Sequence, residues 1–222
     1  MRQQLSDTAT QMFLERGFDA VRVAEIAEAC GVSEKTVFNY FPTKESLLLD
    51  RFDATMASLP ARLAEPGLAP AEATLRLLAD ELAGLTSWLA AQPDPARATV
   101  QIQRFRALSR STPSLRAHQH DMTDQLTAVA AGALAGRAGV NPEDPEPQIA
   151  AIALLGLWNI QFQSLRTYLD GTRTPAQVQE AVMADVRRAA RLIDTGLSSL
   201  PAFRPGADGR RDTAPPRINR GQ

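Results

Sequence analysis

Apolar residues recur along most of this chain at intervals of three and four, the spacing of helices that each bury one face. Leu5, Ala9, Met12 and Phe13 make such a stripe over residues 2 to 16, which Gly17 ends; Val23, Ile26, Ala27 and Cys30 make the next. Val37 and Phe41, four apart, point inward from a third helix. Leu48, Phe52, Thr55, Met56 and Leu59 do so from a fourth over about 44 to 59, which Pro60 and the Pro66-Gly67 pair break. Leu75, Leu78, Leu82, Leu85 and Leu89 form a narrow seam on residues 71 to 91, with Trp88 beside it. Val100, Ile102, Phe105 and Leu108 lie on residues 95 to 109, and Pro113 opens a long helix whose inner stripe reads Leu115, His118, Met122, Leu126 and Val129. The pattern predicts an all-α protein of about nine helices.

Two later segments depart from simple amphipathicity. After a proline-rich loop from Asn141 to Pro147, the eighteen residues Gln148 to Leu165 carry no charge. Asn159, Gln161, Gln163 and Ser164 interrupt the run too often for a membrane span. Leu154, Leu155, Trp158, Phe162, Leu165 and Leu169 cover one side of this helix, and Ile149, Ala153, Leu157, Ile160 and Ser164 another. A helix apolar on two sides is buried on two sides, one of them against a partner. Val178, Val182, Val186, Ala189, Ile193 and Leu197 then stripe a last helix from Pro175 to about Ser199. Beyond it residues 200 to 222 turn polar, with five Arg against two Asp, and are expected to be a disordered basic tail.

Residues 23 to 44 carry the first functional signal. Gly31 suits the left-handed turn between two short helices, and Ser33 can cap the second. With Val37 and Phe41 inward, Glu34, Lys35, Thr36, Phe38, Asn39 and Tyr40 remain outside. Asn and Lys reach base edges in a major groove, Thr serves bases or phosphates, and rings lie against sugars and thymine methyls. Lys44 sits at the start of the next helix, where a cation opposes the helix dipole and stability does not explain it; a bound phosphate would.

The stretch from Thr8 to Leu49 resembles the helix-turn-helix of the TetR family of transcriptional regulators. Ala9, Phe13, Gly17 and Phe18 carry the likeness, with EIAEACGVS from Glu25 to Ser33 and TVFNYFPTKESL from Thr36 to Leu47. The resemblance implies a DNA-binding lobe at 1–45, a helical ligand-binding and dimerisation lobe at 46–199, and DNA contacts from Arg22, Ser33, Glu34, Lys35, Thr36, Phe38, Asn39, Tyr40 and Lys44. It implies a homodimer through the last two helices, burying at least ~1,500 Å², a near-palindromic double-stranded operator and a small-molecule effector. Where the family commonly has two Thr at the start of the second helix, this chain has Val21 and Arg22, and the family's basic arm ahead of the first helix is nearly absent.

Composition adjusts this picture. Net charge is −1, and residues 1 to 45 hold five basic side chains against seven acidic ones, so base contacts must outweigh nonspecific attraction to phosphate. A single cysteine excludes an intramolecular disulfide; with no leader-like start, it fits a cytoplasmic protein. His118 and His120 have no metal-ligand company, no catalytic motif is present, and neither cofactor nor metal is implied. Trp88, Arg104, Phe105, His118, Trp158, Asn159, Gln161 and Phe162 could line a mostly apolar effector cavity with polar anchors. The function expected is a ligand-responsive repressor. An activator or a regulator without a ligand is the alternative, and a helical enzyme or carrier with a vestigial DNA-binding module the remote one.

Overall fold

The computed structural model describes residues 1–49, 58–65 and 67–197, and among these there are helices and no strands. In chain order they are α1 (Arg2–Arg16), α2 (Val23–Ala29), α3 (Glu34–Tyr40), α4 (Ser46–Leu49), α5 (Pro70–Ala90), α6 (Pro95–Ser111), α7 (Pro113–Ala138), α8 (Pro145–Tyr168) and α9 (Pro175–Leu197). Residues 58–63 are also helical, so Pro60 does not end a helix as its ring suggested. Residues 46–49 of the expected fourth helix form α4, while its residues 50–57 and the basic tail lie outside the described residues.

Each of the five long helices begins on a proline, where the missing N–H has no helical partner to lose and φ is preset. This corrects the loop expected at Asn141 to Pro147: Pro145 and Pro147 belong to the first turn of α8. Asp94 caps α6 by accepting from the Arg97 amide at 2.9 Å, and Gly139, with φ 72°, closes α7 in the left-handed conformation.

Two apolar cores result. The smaller one joins Leu5, Ala9, Phe13, Ile26, Val37 and Phe41 to Leu47, Leu48 and Leu49. The larger one gathers α5, α7, α8 and α9 around Leu78, Leu82, Leu134, Leu154, Leu157, Val182 and Val186. Helix α6 serves both, and the start of α7 serves the small one. Ala98 and Ile102 pack in the large core, while Phe105, Leu108 and the fully buried Leu115 pack in the small one. Val100 and Val129, expected inside, are exposed; Ala98, Thr99, Ala130 and Ala131 take the inward positions, and small residues there let the helices approach closely.

Candidate nucleic-acid interface

Helix α3 is short and would be marginal alone, so its position comes from its ends and its buried side. At the N-terminus Ser33 Oγ accepts from the Thr36 amide at 3.1 Å and shares a 2.9 Å hydrogen bond with the Thr36 hydroxyl. At the C-terminus the Arg2 guanidinium donates to the Tyr40 carbonyl at 2.8 Å and lies 4.6 Å from the centre of the Phe41 ring. A cation at a helix C-terminus is favourable. Arg2 is thus a positioning residue that the sequence pattern did not reveal, because it acts across 38 residues. Val37 and Phe41 are fully buried, and Glu34, Lys35, Phe38, Asn39 and Tyr40 face solvent, with Thr36 half-buried. Phe38 and Tyr40 are 46% and 39% exposed, a large apolar expense for a surface with no partner.

The missing Thr pair is replaced from within α2. The Glu25 carboxylate accepts from the Arg22 amide at 2.8 Å and from the Arg16 guanidinium at 2.7 Å. These contacts, the Arg22 amide first, hold its carboxyl below the ordinary value of 4.5. A depressed folded-state pKa gives stability that is present at neutral pH and lost as the pH falls through and below 4.5. Glu25→Gln is expected to flatten that acid limb, measured as the change in urea midpoint between neutral pH and pH about 3. An equally steep loss in the variant would show that other carboxylates govern it.

Arg22 itself is 82% exposed in its side chain and pairs loosely with Glu25 at 3.7 Å, so its head can reach a phosphate. Lys44 differs from expectation. Helix α4 starts at Ser46, capped by Thr43 Oγ1 at 3.1 Å, and the Lys44 ammonium turns inward to donate to the Phe18 carbonyl at 2.7 Å, 4.5 Å from the centre of that ring. It is a strut between the α1–α2 turn and α4 rather than a cation on the dipole. Lys44→Ala is expected to cost about 1–3 kcal/mol of stability, from a charged hydrogen bond and a cation–π contact. Denaturant unfolding measures this, and an unchanged midpoint would refute it.

The residues expected to line an effector cavity are not gathered. Trp88, Arg104 and Asn159 face solvent, and His118 is half-buried. Phe105 packs against the small core, because Leu108 shares its face of α6 and both turn toward α1. Trp158 and Gln161 are buried, on one side of α8. Trp158 Nε1 donates to Glu81 of α5 at 3.1 Å, while Gln161 Oε1 is buried with no hydrogen-bond partner among the described residues. Phe162 is 36% exposed under the Arg106 guanidinium, whose carbon lies 5.6 Å from the ring centre. Glu81 and Arg106 were missed. Their signals are a carboxylate beside the leucine seam of α5, and a helix α6 with four Arg and no acid. Cys30 is a free thiol, half-buried against the small core. Among the described residues no helix is long and apolar enough to cross a membrane.

Comparison with known proteins matches residues 5–50 to the family model for bacterial regulatory proteins of the tetR family, and residues 85–198, half the chain, to that for the MftR C-terminal domain. A protein of Mycobacterium tuberculosis described as a mycofactocin biosynthesis transcriptional regulator, MftR, is 28% identical over 153 residues, covering 69% of this chain and 73% of its own. The HTH-type transcriptional regulator LuxR of Vibrio harveyi is 49% identical over 47 residues, 21% of this chain and 23% of that one. A solved TetR-family transcriptional regulator from Mesorhizobium loti has 20% identity and a TM-score of 0.48, over 86% of this chain and 95% of that one. The chain belongs to the TetR family of bacterial regulatory proteins, with an MftR-type C-terminal domain, and is a DNA-binding transcriptional regulator and not an enzyme.

Proposed function

We propose that the chain acts in the cytoplasm as a homodimeric repressor that occupies a near-palindromic operator and releases it when a small molecule binds the C-terminal lobe. The observation that carries the DNA-reading part is the exposed face of α3, held at one end by Ser33 and at the other by Arg2. Asn39 and Thr36 read bases, Phe38 and Tyr40 lie on sugars and methyls, and Lys35 and Arg22 take phosphates. Lys35 is exposed, with no side-chain ion pair or hydrogen bond among the described residues, so its head is available for a phosphate.

The dimer reading rests on the outer strip of α8 and α9. Ile149, Ile152 and Leu192 are 60%, 55% and 77% exposed in the single chain, and the Ser164 to Asp185 hydrogen bond at 2.8 Å sets α8 and α9 side by side. Two such pairs make a four-helix bundle about a twofold axis. The effector reading rests on Trp158 and Gln161, buried one turn apart on α8, where the part-buried Glu81 of α5 accepts from the Trp158 indole and the Gln161 oxygen is an acceptor in an apolar interior. An effector that discriminates between two arrangements of the lobes by about 1–3 kcal/mol changes operator affinity about 5- to 150-fold.

Binding to operator variants tests the base assignments. Asn39→Ala is expected to cost about 1–3 kcal/mol on the preferred sequence and to relax preference at one position per half-site. Lys35→Ala is expected to weaken binding to all sequences alike and to lower the salt slope by about one per subunit. Unaltered base preference in Asn39→Ala would remove that residue from base reading.

A further inference from the structure

Arg106 differs from the tightly ion-paired arginines of this chain. Arg16, Arg76, Arg173 and Arg188 each have a carboxylate oxygen within 3.0 Å. Arg106 has none. Its guanidinium donates to the Phe162 carbonyl at 3.0 Å and lies over the Phe162 ring, both neutral groups. Arg110 lies one turn along α6 from it, and Arg166 one turn along α8 from the Phe162 it holds. Residues 95 to 111 contain four Arg and no acid, and residues 148 to 168 contain Arg166 as their single charge, so neither of these stretches supplies a counter-ion; the one acid of α8, Glu146, lies in its first turn, about four turns before Phe162. Burial, then repulsion from Arg110 and Arg166, lowers the Arg106 pKa to about 10. A cation held half out of water among like charges raises the energy of the protein alone and lowers it once an anion arrives.

On the effector reading given above, we propose that Arg106, Arg110 and Arg166 form the subsite for the acidic head, carboxylate or phosphate, of the small-molecule effector. Bidentate guanidinium groups suit either head, and the part-exposed Phe162 ring offers an apolar surface for the carbon adjoining it. The subsite lies on the edge of α8 that meets α6, whereas Ile149, Ile152 and Gly156 lie on the outer strip proposed for the dimer. Its place also provides the coupling. Phe105 precedes Arg106 in sequence, and it packs with Leu108 against the core of the DNA-binding lobe, so an anion that pulls Arg106 toward α8 loads the same helical turn.

Calorimetric titration of the full-length protein with octanoate and with octyl phosphate tests this, with octanol as the uncharged probe. At least one anion is expected to bind with one site per subunit and at least ten times more tightly than octanol, and the preferred anion identifies the head. Arg106→Gln and Arg166→Gln are each expected to weaken it tenfold or more. Arg166→Gln, which keeps the Arg106 to Phe162 hydrogen bond, is expected to unfold at the same temperature as the parent or higher without anion, since it relieves repulsion. Equal anion affinity in both variants, octanol binding as well as the anions, or no anion binding below about 1 mM would overturn the proposal. So would dissociation of the Arg166→Gln dimer without anion binding, which would assign the cluster to a subunit contact. Operator binding by the parent protein, and its release by an uncharged metabolite, would leave the regulator reading intact in each of these cases.

Discussion

Phe41→Ala is expected to abolish operator binding by destabilising the lobe that carries α3. Phe41 is fully buried, its amide donates to the Val37 carbonyl at 2.9 Å at the end of α3, and its ring supports the Arg2 guanidinium that holds the Tyr40 carbonyl. Truncation of a buried phenylalanine costs about 3–5 kcal/mol, and domains as a whole hold only about 5–15 kcal/mol. The substitution also removes the platform under Arg2, so both the stability and the aim of α3 are lost. Thermal unfolding and operator binding measured together should show an early transition and a fall in affinity of about a hundredfold or more, about 2.7 kcal/mol. Phe41→Leu, which keeps most of the volume, should retain most of both. Parent-like operator affinity in the alanine variant would mean that the core does not position the recognition helix.

Ile152→Arg, or Leu192→Arg, is expected to convert a dimer to monomers. Both side chains lie exposed on the outer strip of α8 and α9, where Gly156 presents open backbone, and a twofold interface would receive each new charge twice. An unpaired charge buried in such an interface costs several kcal/mol. Sedimentation should show a single subunit, and operator affinity should fall about a hundredfold or more as the two half-sites cease to be held together. Val129→Arg, on the exposed side of α7, should leave the assembly unchanged. A dimeric Ile152→Arg protein with parent affinity would place the subunit contact elsewhere.

The parts of this architecture that were legible are those set by local chemistry. Gly17, Gly31 and Ser33 mark turns and a cap because only certain residues serve there, and the stripes of α1, α5 and α9 follow the helical period. What was illegible depends on contacts far apart in sequence. Nothing near Lys44 announces that the Phe18 carbonyl would claim its ammonium, and nothing near Arg2 that it would close α3. The composition of α6 misled for a related reason. Its Val100 looks like core and is exposed, since this helix turns one face to each of two cores and presents Ala98 and Ile102 to one and Phe105 and Leu108 to the other. The scattered cavity residues share that cause: aromatic and polar side chains at helical spacing do not disclose which neighbour each will meet.

Footprinting of the protein on the intergenic DNA beside its own gene tests the central claim most directly, since that claim is that two copies of the α3 surface touch bases at once. Protection of two half-sites about one helical turn apart or a little more, related by a twofold axis and lost when Asn39 and Thr36 are both replaced by alanine, is the result expected. Protection that survives the double replacement, or a single unrepeated protected segment, would contradict it.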